Sequence, residues 1–215
     1  MYKNRQAAGI ALAKLLERYK CTETIVLAIP NGGVAVGIPI AEALYADFGL
    51  LITKRIHFPF TTESGFGAIT SNGYYFIDEA LAREHHISPA EIETLKAKTM
   101  VQVQSKMALL GVQDRMPNVK GKNVILVDDG IAGGFSMFVS LKALQDQHPA
   151  RKIVAVPTAP ARSLDKIRDL ADEIVCPDIS HAWQFAVANA YEDWYDVSDD
   201  EVVTLLDAFK KRTHA

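Results

Sequence analysis

The sequence predicts an α/β fold: a parallel sheet with helices on both faces, plus a small C-terminal hood or flap. Short runs that are apolar almost throughout alternate with segments of helical spacing, which is the pattern of strands covered on both sides. Several of those runs stop abruptly at loops rich in glycine, proline or aspartate. The 215 residues read as one domain, 1–215, long enough to bury a sizeable core.

The elements follow in order. Leu12, Leu15, Leu16 and Tyr19 are spaced as one face of an opening amphipathic helix. "TIVLAIP" (Thr24 to Pro30) is a buried strand ending in the loop Pro30-Asn31-Gly32-Gly33. "VAVGIPIAEALYADF" reads as a helix and "GLLITKR" as the next strand. Residues 57–67 carry Pro, Thr, Ser and Gly without periodicity, which predicts a flexible loop. "GAIT" and "GYYFI" flank Ser71-Asn72-Gly73 as a hairpin.

Ser88-Pro89-Ala90-Glu91 then supplies an N-cap, a proline at the first helical position and a capping-box glutamate. The helix it opens keeps Ile92, Leu95, Thr99, Val103, Met107 and Leu110 on one face. That apolar surface, with Met100, suggests a homodimer burying part of it, with docking on the chain's own sheet as the alternative. "NVILV" is a strand, a helix follows Met137, "KIVAVP" is a strand, Ala161 to Leu170 a helix and "EIVC" a strand. A second capping box, Ser198 to Glu201, opens a last helix that turns Val202, Leu205, Leu206 and Phe209 inward.

Composition narrows the function. Apolar residues make up 49% and charged residues 23%, with a net charge of −3, so no global field attracts nucleic acid or an anionic membrane. No run reaches the ~18 uninterrupted apolar residues of a membrane span. Lys3, Arg5, Lys14, Glu17 and Arg18 interrupt every apolar run near the start, unlike a signal peptide, so a cytoplasmic protein is expected. Cys21 and Cys176 stand in no metal-ligand spacing and read as two buried thiols of a reducing compartment. His85 and His86 lack the spacing of a zinc protease and read as a solvated helix end.

In such sheets ligands bind beyond the carboxyl ends of the strands. Three loops lie there: 30–33, 54–67 and 128–136. The strand "VILV" delivers Asp128 and Asp129, and Gly130, Ile131, Ala132, Gly133, Gly134, Phe135 and Ser136 then turn into a helix. Small residues at a helix N-terminus aim backbone N–H groups at one point, where the helix dipole also favours an anion. The carboxylates beside it suit hydroxyls, or a metal shared with the substrate. A ribose 5-phosphate needs both, although Asp-Asp-Gly alone can be merely a turn and an N-cap.

This stretch resembles the PRPP (5-phosphoribosyl 1-pyrophosphate) motif of the type I phosphoribosyltransferases: four apolar residues, two acidic residues and a loop ending Thr-Gly-x-Thr or a variant. "LAIPNGGVAVG", "TKRIHFPFTTESGFGAI", "IVAVPTAPA" and "AYEDWYDVSDDEV" extend the resemblance over nearly the whole chain, to bacterial stand-alone phosphoribosyltransferase-domain proteins. The resemblance implies transfer of the phosphoribosyl group from PRPP to an acceptor, with release of pyrophosphate. It implies Mg²⁺ carried with PRPP, with Asp128 and Asp129, the two carboxylates that hold the ribose, as its candidate protein contacts. It further implies Asn31, Gly32 and Gly33 as donors to pyrophosphate, and Lys54 and Arg55 as cationic catalytic help, with solvated strand-end residues as the alternative.

The pattern is broken at three positions. Gly133 stands where the family usually has threonine, Phe135 where it has a smaller or more polar residue, and Asn31 where the closest group has arginine. These departures open a second reading, a PRPP or nucleotide sensor without turnover. Ala132 stands where the 6-oxopurine branch has an aspartate, which disfavours that acceptor. Trp183, Phe185, Tyr191 and Trp194 read either as an aromatic hood over a base or as core residues of the C-terminal flap, near 178–215. Glu63 is assigned no role.

Overall fold

The computed structural model describes residues 1–61, 64–112 and 117–213. Helix α1 (Arg5–Leu15) leads into strand β1 (Thr24–Ala28), helix α2 (Gly32–Leu44) and strand β2 (Asp47–Leu50). An excursion follows: β3 (Thr53–His57), β4 (Gly65–Thr70), β5 (Tyr75–Ile77), α3 (Glu79–Glu84) and the long α4 (Pro89–Leu109). The chain returns through β6 (Asn123–Val127), α5 (Phe135–Gln145), β7 (Arg151–Ala155), β8 (Thr158–Pro160), α6 (Ala161–Asp165), β9 (Glu173–Val175), β10 (Asp178–Ser180) and α7 (Asp199–Thr213).

The central sheet has the order β2-β1-β6-β7-β9, and every pairing in it is parallel. Side chains alternate across a strand, so each central strand feeds two cores. Val26, Ala28, Ile125 and Val127 join α1, α2 and α7 on one face. Ile25, Leu27, Val124 and Leu126 join α5 and α6 on the other. A third cluster, around Ile56, Phe58 and Phe66, lies between the antiparallel β3-β4-β5 sheet and helices α3 and α4.

Several elements differ from their expected form. "GLLITKR" is not one strand: Gly49 and Leu50 pair with β1 in the main sheet, whereas Thr53 to Arg55 pair with β4. Helix α2 begins at Gly32 and ends at Leu44, where Tyr45 turns left-handed with φ 53°, and Phe48 belongs to β2. Ala161 to Leu170 is broken into α6 and a short 3-10 turn. Helix α3 carries no long apolar period and was not foreseen, and neither were the short strands β8 and β10. Leu15 is exposed, as is Cys21, while Cys176 is half-buried, so the pair are not two buried thiols.

The capping box at Ser88 is complete, and α4 lays its apolar face on β3 and β4, with Thr99, Val103 and Leu110 buried. That face is therefore used in part within the chain, while Ile92, Leu95, Met100 and Met107 stay half-buried and Val101 and Leu109 exposed. Ser198 caps α7 through Glu201 N–H (3.2 Å), but the Glu201 carboxylate accepts from Tyr195 Oη (2.6 Å). Of the loop expected at 57–67, β3 and β4 take both ends and Phe58 is buried against Phe66. Glu63 and its neighbour at 62 lie outside the described residues.

The C-terminal stretch divides in two. Residues 187–195 pass over the ends of the central strands, tied to the chain start by Tyr2 N–H to Ala190 O (2.7 Å) and Glu192 N–H to Tyr2 O (2.9 Å). Helix α7 instead buries Val202, Leu206 and Phe209 in the main core. Among the described residues, no helix is long and apolar enough to cross a membrane.

Candidate functional site

Strand β6 is apolar up to Val127 because both of its faces are covered, and it becomes acidic where it leaves the sheet. Beyond it, Gly134 adopts φ 81°, a conformation open to glycine and costly for other residues, and Phe135 starts α5. A hollow of about 170 Å³ opens under this turn, lined by Asp128, residues 130–137, Arg55 and Val187.

The loop presents donors because its acceptors are used elsewhere. Ala132 O accepts from Ser163 Oγ (2.5 Å) and Gly133 O from Lys166 Nζ (3.1 Å). In a trans peptide the N–H points opposite to the C=O, so the N–H groups of Gly133 and Gly134 face away from those partners. With the α5 N-terminus beside them, they are donors of the kind that suit an anion. Ile131 N–H is spent on Thr158 O (3.0 Å), so Ile131 lines the hollow without donating its backbone N–H to a ligand.

Gly133 has open space where a Cβ would stand, and its φ is not in the left-handed region. Phe135 turns its ring to Phe76 and Phe138, with centroids 5.7 and 6.5 Å away, and thereby pins the start of α5 to the hairpin.

The two aspartates are not equivalent. Asp128 lines the hollow, and its Oδ1 accepts from Asp129 N–H (2.9 Å). Burial, and then the negative charge of Asp129, push the Asp128 carboxyl well above the usual carboxylate range. Asp129 turns away to Arg5, whose Nε stands 2.8 Å from its Oδ2. Tyr191 Oη donates to the Asp129 carbonyl (2.5 Å), and burial, with the Asp129 charge, raises the phenol.

The first and third loops meet at this point. A Cβ on Gly32 would stand 1.9 Å from Asp129 Oδ2, and one on Gly33 would stand 2.7 Å from Val127 O. Gly33 N–H donates to Ile29 O (3.2 Å), so it belongs to the turn and is not free for pyrophosphate. The Asn31 side chain also points elsewhere: Nδ2 donates to Val197 O (2.7 Å) and Asp199 Oδ1 (2.8 Å), tying the loop to the start of α7. Lys106 pairs with the same carboxylate.

Lys54 and Arg55 are neighbours on β3 and therefore face opposite ways. Arg55 lines the hollow, while Lys54 lies towards Lys106 and Asp199. Burial, then the charge of Lys106, lower the Lys54 ammonium below the usual lysine range, and Asp199 offsets part of this.

Among the described residues no three or more His, Cys, Asp or Glu side chains converge as a metal cage. A Mg²⁺ ion binding through substrate phosphates and one or two carboxylates needs no such cage, and Asp128 fits that donor set. Asp129 fits it less well, with Oδ2 held by Arg5.

The expected residues thus form one edge, with Asp128, Gly130 to Ser136 and Arg55 around the hollow and Gly32 and Asp129 behind it. Arg5, Tyr191, Lys106 and Asp199 were missed. Arg5 had left a signal: a cation in the first turn of a helix opposes the helix dipole, and that turn holds no acidic residue. The aromatics separate, Tyr191 being buried, Trp194 partly covered beside Arg5 and Trp183 fully open to solvent.

Residues 1–192 match the family model described as the phosphoribosyl transferase domain. Proteins of two Mycobacterium tuberculosis strains (CDC 1551 / Oshkosh and H37Rv), both carrying the provisional name phosphoribosyl transferase, are 30% identical over 208 residues. The alignment covers 96% of this chain and 46% of theirs, so the chain spans about half the length of the curated relatives it matches. The crystal structure of TT1426 from Thermus thermophilus matches with a TM-score of 0.81 and 26% identity, covering 97% of this chain and 99% of that one.

Proposed function

Because the chain belongs to the phosphoribosyl transferase domain family, we propose that it binds PRPP in the hollow before α5 and transfers the phosphoribosyl group. The observation that carries this is the joint lining of the hollow by a helix N-terminus, a carboxyl and a guanidinium. The 5-phosphate would sit against the N–H groups of residues 133–136, with Ser136 adding a hydroxyl. Asp128 would accept from the ribose 2′- and 3′-hydroxyls and favour the positive charge that develops at C1.

An acceptor nucleophile would attack C1 as the C1–O bond to pyrophosphate breaks, and the bonding pair leaves with pyrophosphate. Arg55, which lines the hollow, would supply a cation to that leaving group, and Lys54 with the backbone of Asn31 and Gly32 would add cationic and N–H donors. Mg²⁺, when bound with PRPP, neutralises charge on the leaving group. Ala132 has no carboxylate to handle a purine proton, which disfavours a 6-oxopurine as the acceptor.

One observation favours a second reading, a sensor that binds PRPP or a nucleotide without turnover. Asp129 Oδ2 is already committed to Arg5, and Gly133 offers no hydroxyl, so the site has fewer ligand contacts than the family motif supplies. Calorimetric titration with PRPP, with and without Mg²⁺, followed by a nucleobase panel assayed for pyrophosphate release, separates these. We expect PRPP to bind, Asp128→Asn to weaken it, and one non-6-oxopurine acceptor to release pyrophosphate. Binding without release across the panel favours the sensor. If neither PRPP nor a ribose 5-phosphate nucleotide binds, both readings fail.

A further inference from the structure

Arg5 is an unusual residue for its position. It opens α1, where a cation opposes the dipole, and it is buried, with only 5% of its surface exposed. Its guanidinium donates from Nε to Asp129 Oδ2 and from Nη1 to Tyr195 O, both at 2.8 Å. The Trp194 ring lies 4.1 Å from its centre, with Tyr195 and Tyr191 further round at 5.6 and 5.7 Å. Such a box satisfies a buried cation by charge, hydrogen bonds and π-faces together.

What the box holds is one residue of the candidate site. Asp129 is gripped at its carboxylate by Arg5 and at its carbonyl by Tyr191 Oη, while its N–H is committed to Asp128 Oδ1 (2.9 Å). Gly32 closes the remaining side of the carboxylate. Asp128, the residue that lines the hollow, therefore takes its orientation from a neighbour that cannot turn. A buried ion pair is weak evidence for stability, since well-packed apolar residues often do as well. A fixed direction for the next carboxyl is something apolar residues do not provide.

We propose that Arg5 is a positioning residue: by locking Asp129, it orients Asp128 towards the ribose hydroxyls. The proposal rests on the phosphoribosyl reading of the hollow. Arg5 itself touches no ligand. Its removal weakens ligands in proportion to what they ask of the ribose subsite, and leaves the phosphate turn in place.

The test measures dissociation constants for ribose 5-phosphate and for inorganic phosphate, on the parent, Arg5→Met, Arg5→Lys, Asp129→Asn and the Arg5→Met/Asp129→Asn pair. Arg5→Met is expected to weaken ribose 5-phosphate about tenfold or more, with inorganic phosphate changed less than about twofold. Arg5→Lys keeps the charge but not the fork, and recovers part of the loss. The double variant is expected to bind no worse than the poorer single one, because both remove the same link.

Parental affinity for ribose 5-phosphate in folded Arg5→Met overturns the proposal, as does equal loss of both probes or fully additive losses in the double variant. Should Arg5→Met fail to fold, Arg5→Lys decides: parental affinity for ribose 5-phosphate overturns the proposal, and a selective loss supports it. A parent that binds neither probe overturns the reading of the hollow together with this inference. A parent that binds both, with variants that match it, overturns this inference alone.

Discussion

Gly32 and Asp129 are so close that a methyl group on the glycine would stand 1.9 Å from the aspartate Oδ2 and 2.3 Å from its Cγ. Asp129 cannot swing aside without breaking its bond to Arg5. Gly32→Ala is therefore expected to lower the melting temperature by several degrees, consistent with loss of a buried pair's geometry. It also weakens PRPP about tenfold or more. Thermal melting and calorimetry on the same preparation check this, and an unchanged melting temperature would show that the aspartate is looser than described.

Adjacent glycines in the phosphate turn are expected to behave in opposite ways. Gly133 has no neighbour within 4 Å of a built Cβ and no left-handed φ, so Gly133→Thr fits without strain. The new hydroxyl can donate to phosphate, worth ~1.5–3 kcal/mol, or about tenfold or more in PRPP affinity. Gly134, at φ 81° with Ser163 O 3.2 Å from a Cβ, is expected to lose ~1 kcal/mol or more of stability as alanine. Paired melting and titration of the two variants decides the matter.

The half-buried Asp128 carboxyl gives stability a specific dependence on pH. Its folded pKa is raised, first by burial and then by Asp129, so the folded state holds the proton more tightly than the unfolded state. Stability is then lost as pH rises from the unfolded value, ~3.9, through the folded value, at ~1.4 kcal/mol per unit of difference. Asp128→Asn keeps an acceptor for Asp129 N–H and carries no charge. It is expected to melt higher than the parent at neutral pH, with the advantage vanishing near pH 4, while PRPP affinity falls. A melting series from pH 4 to 8 tests the sign.

Lys54 is expected to exchange stability for anion binding. Burial and Lys106 depress its folded pKa, so it opposes folding below that value and ceases to do so as pH rises towards the unfolded ~10.4. Lys54→Met is expected to melt as high as the parent, or higher, at pH 7 and to bind pyrophosphate about tenfold more weakly. A variant that binds pyrophosphate normally would place Lys54 outside the ligand's reach.

Much of this arrangement was legible in the order of residue types. Val124 to Asp129 announces a covered strand and its exposed end, and Ser88 to Glu91 announces α4, because both signals are local. The division of "GLLITKR" between two sheets was not legible, since each half is apolar enough for either and only pairing partners decide. The different fates of Asp128 and Asp129 were also hidden. Two identical neighbours separate only when a buried arginine 124 residues away in the chain, and a tyrosine 62 residues away, select one of them. Asn31 reads as a loop donor until α7 arrives to take its amide.

The partners that hold Asp129 bear on how the protein is made. They include Arg5, with Tyr2 braced on the same C-terminal segment, then Gly32, and finally Tyr191 and Tyr195. Synthesis runs from the first of these to the last, so the central sheet can form on the ribosome well before the aspartate has its full set of contacts. The set of contacts around Asp129 is thus complete only once residues 191–195 have been added. A chain cut before residue 191 would lose Tyr191 and Tyr195 from this set, and with them the α7 residues Val202, Leu206 and Phe209 from the main core.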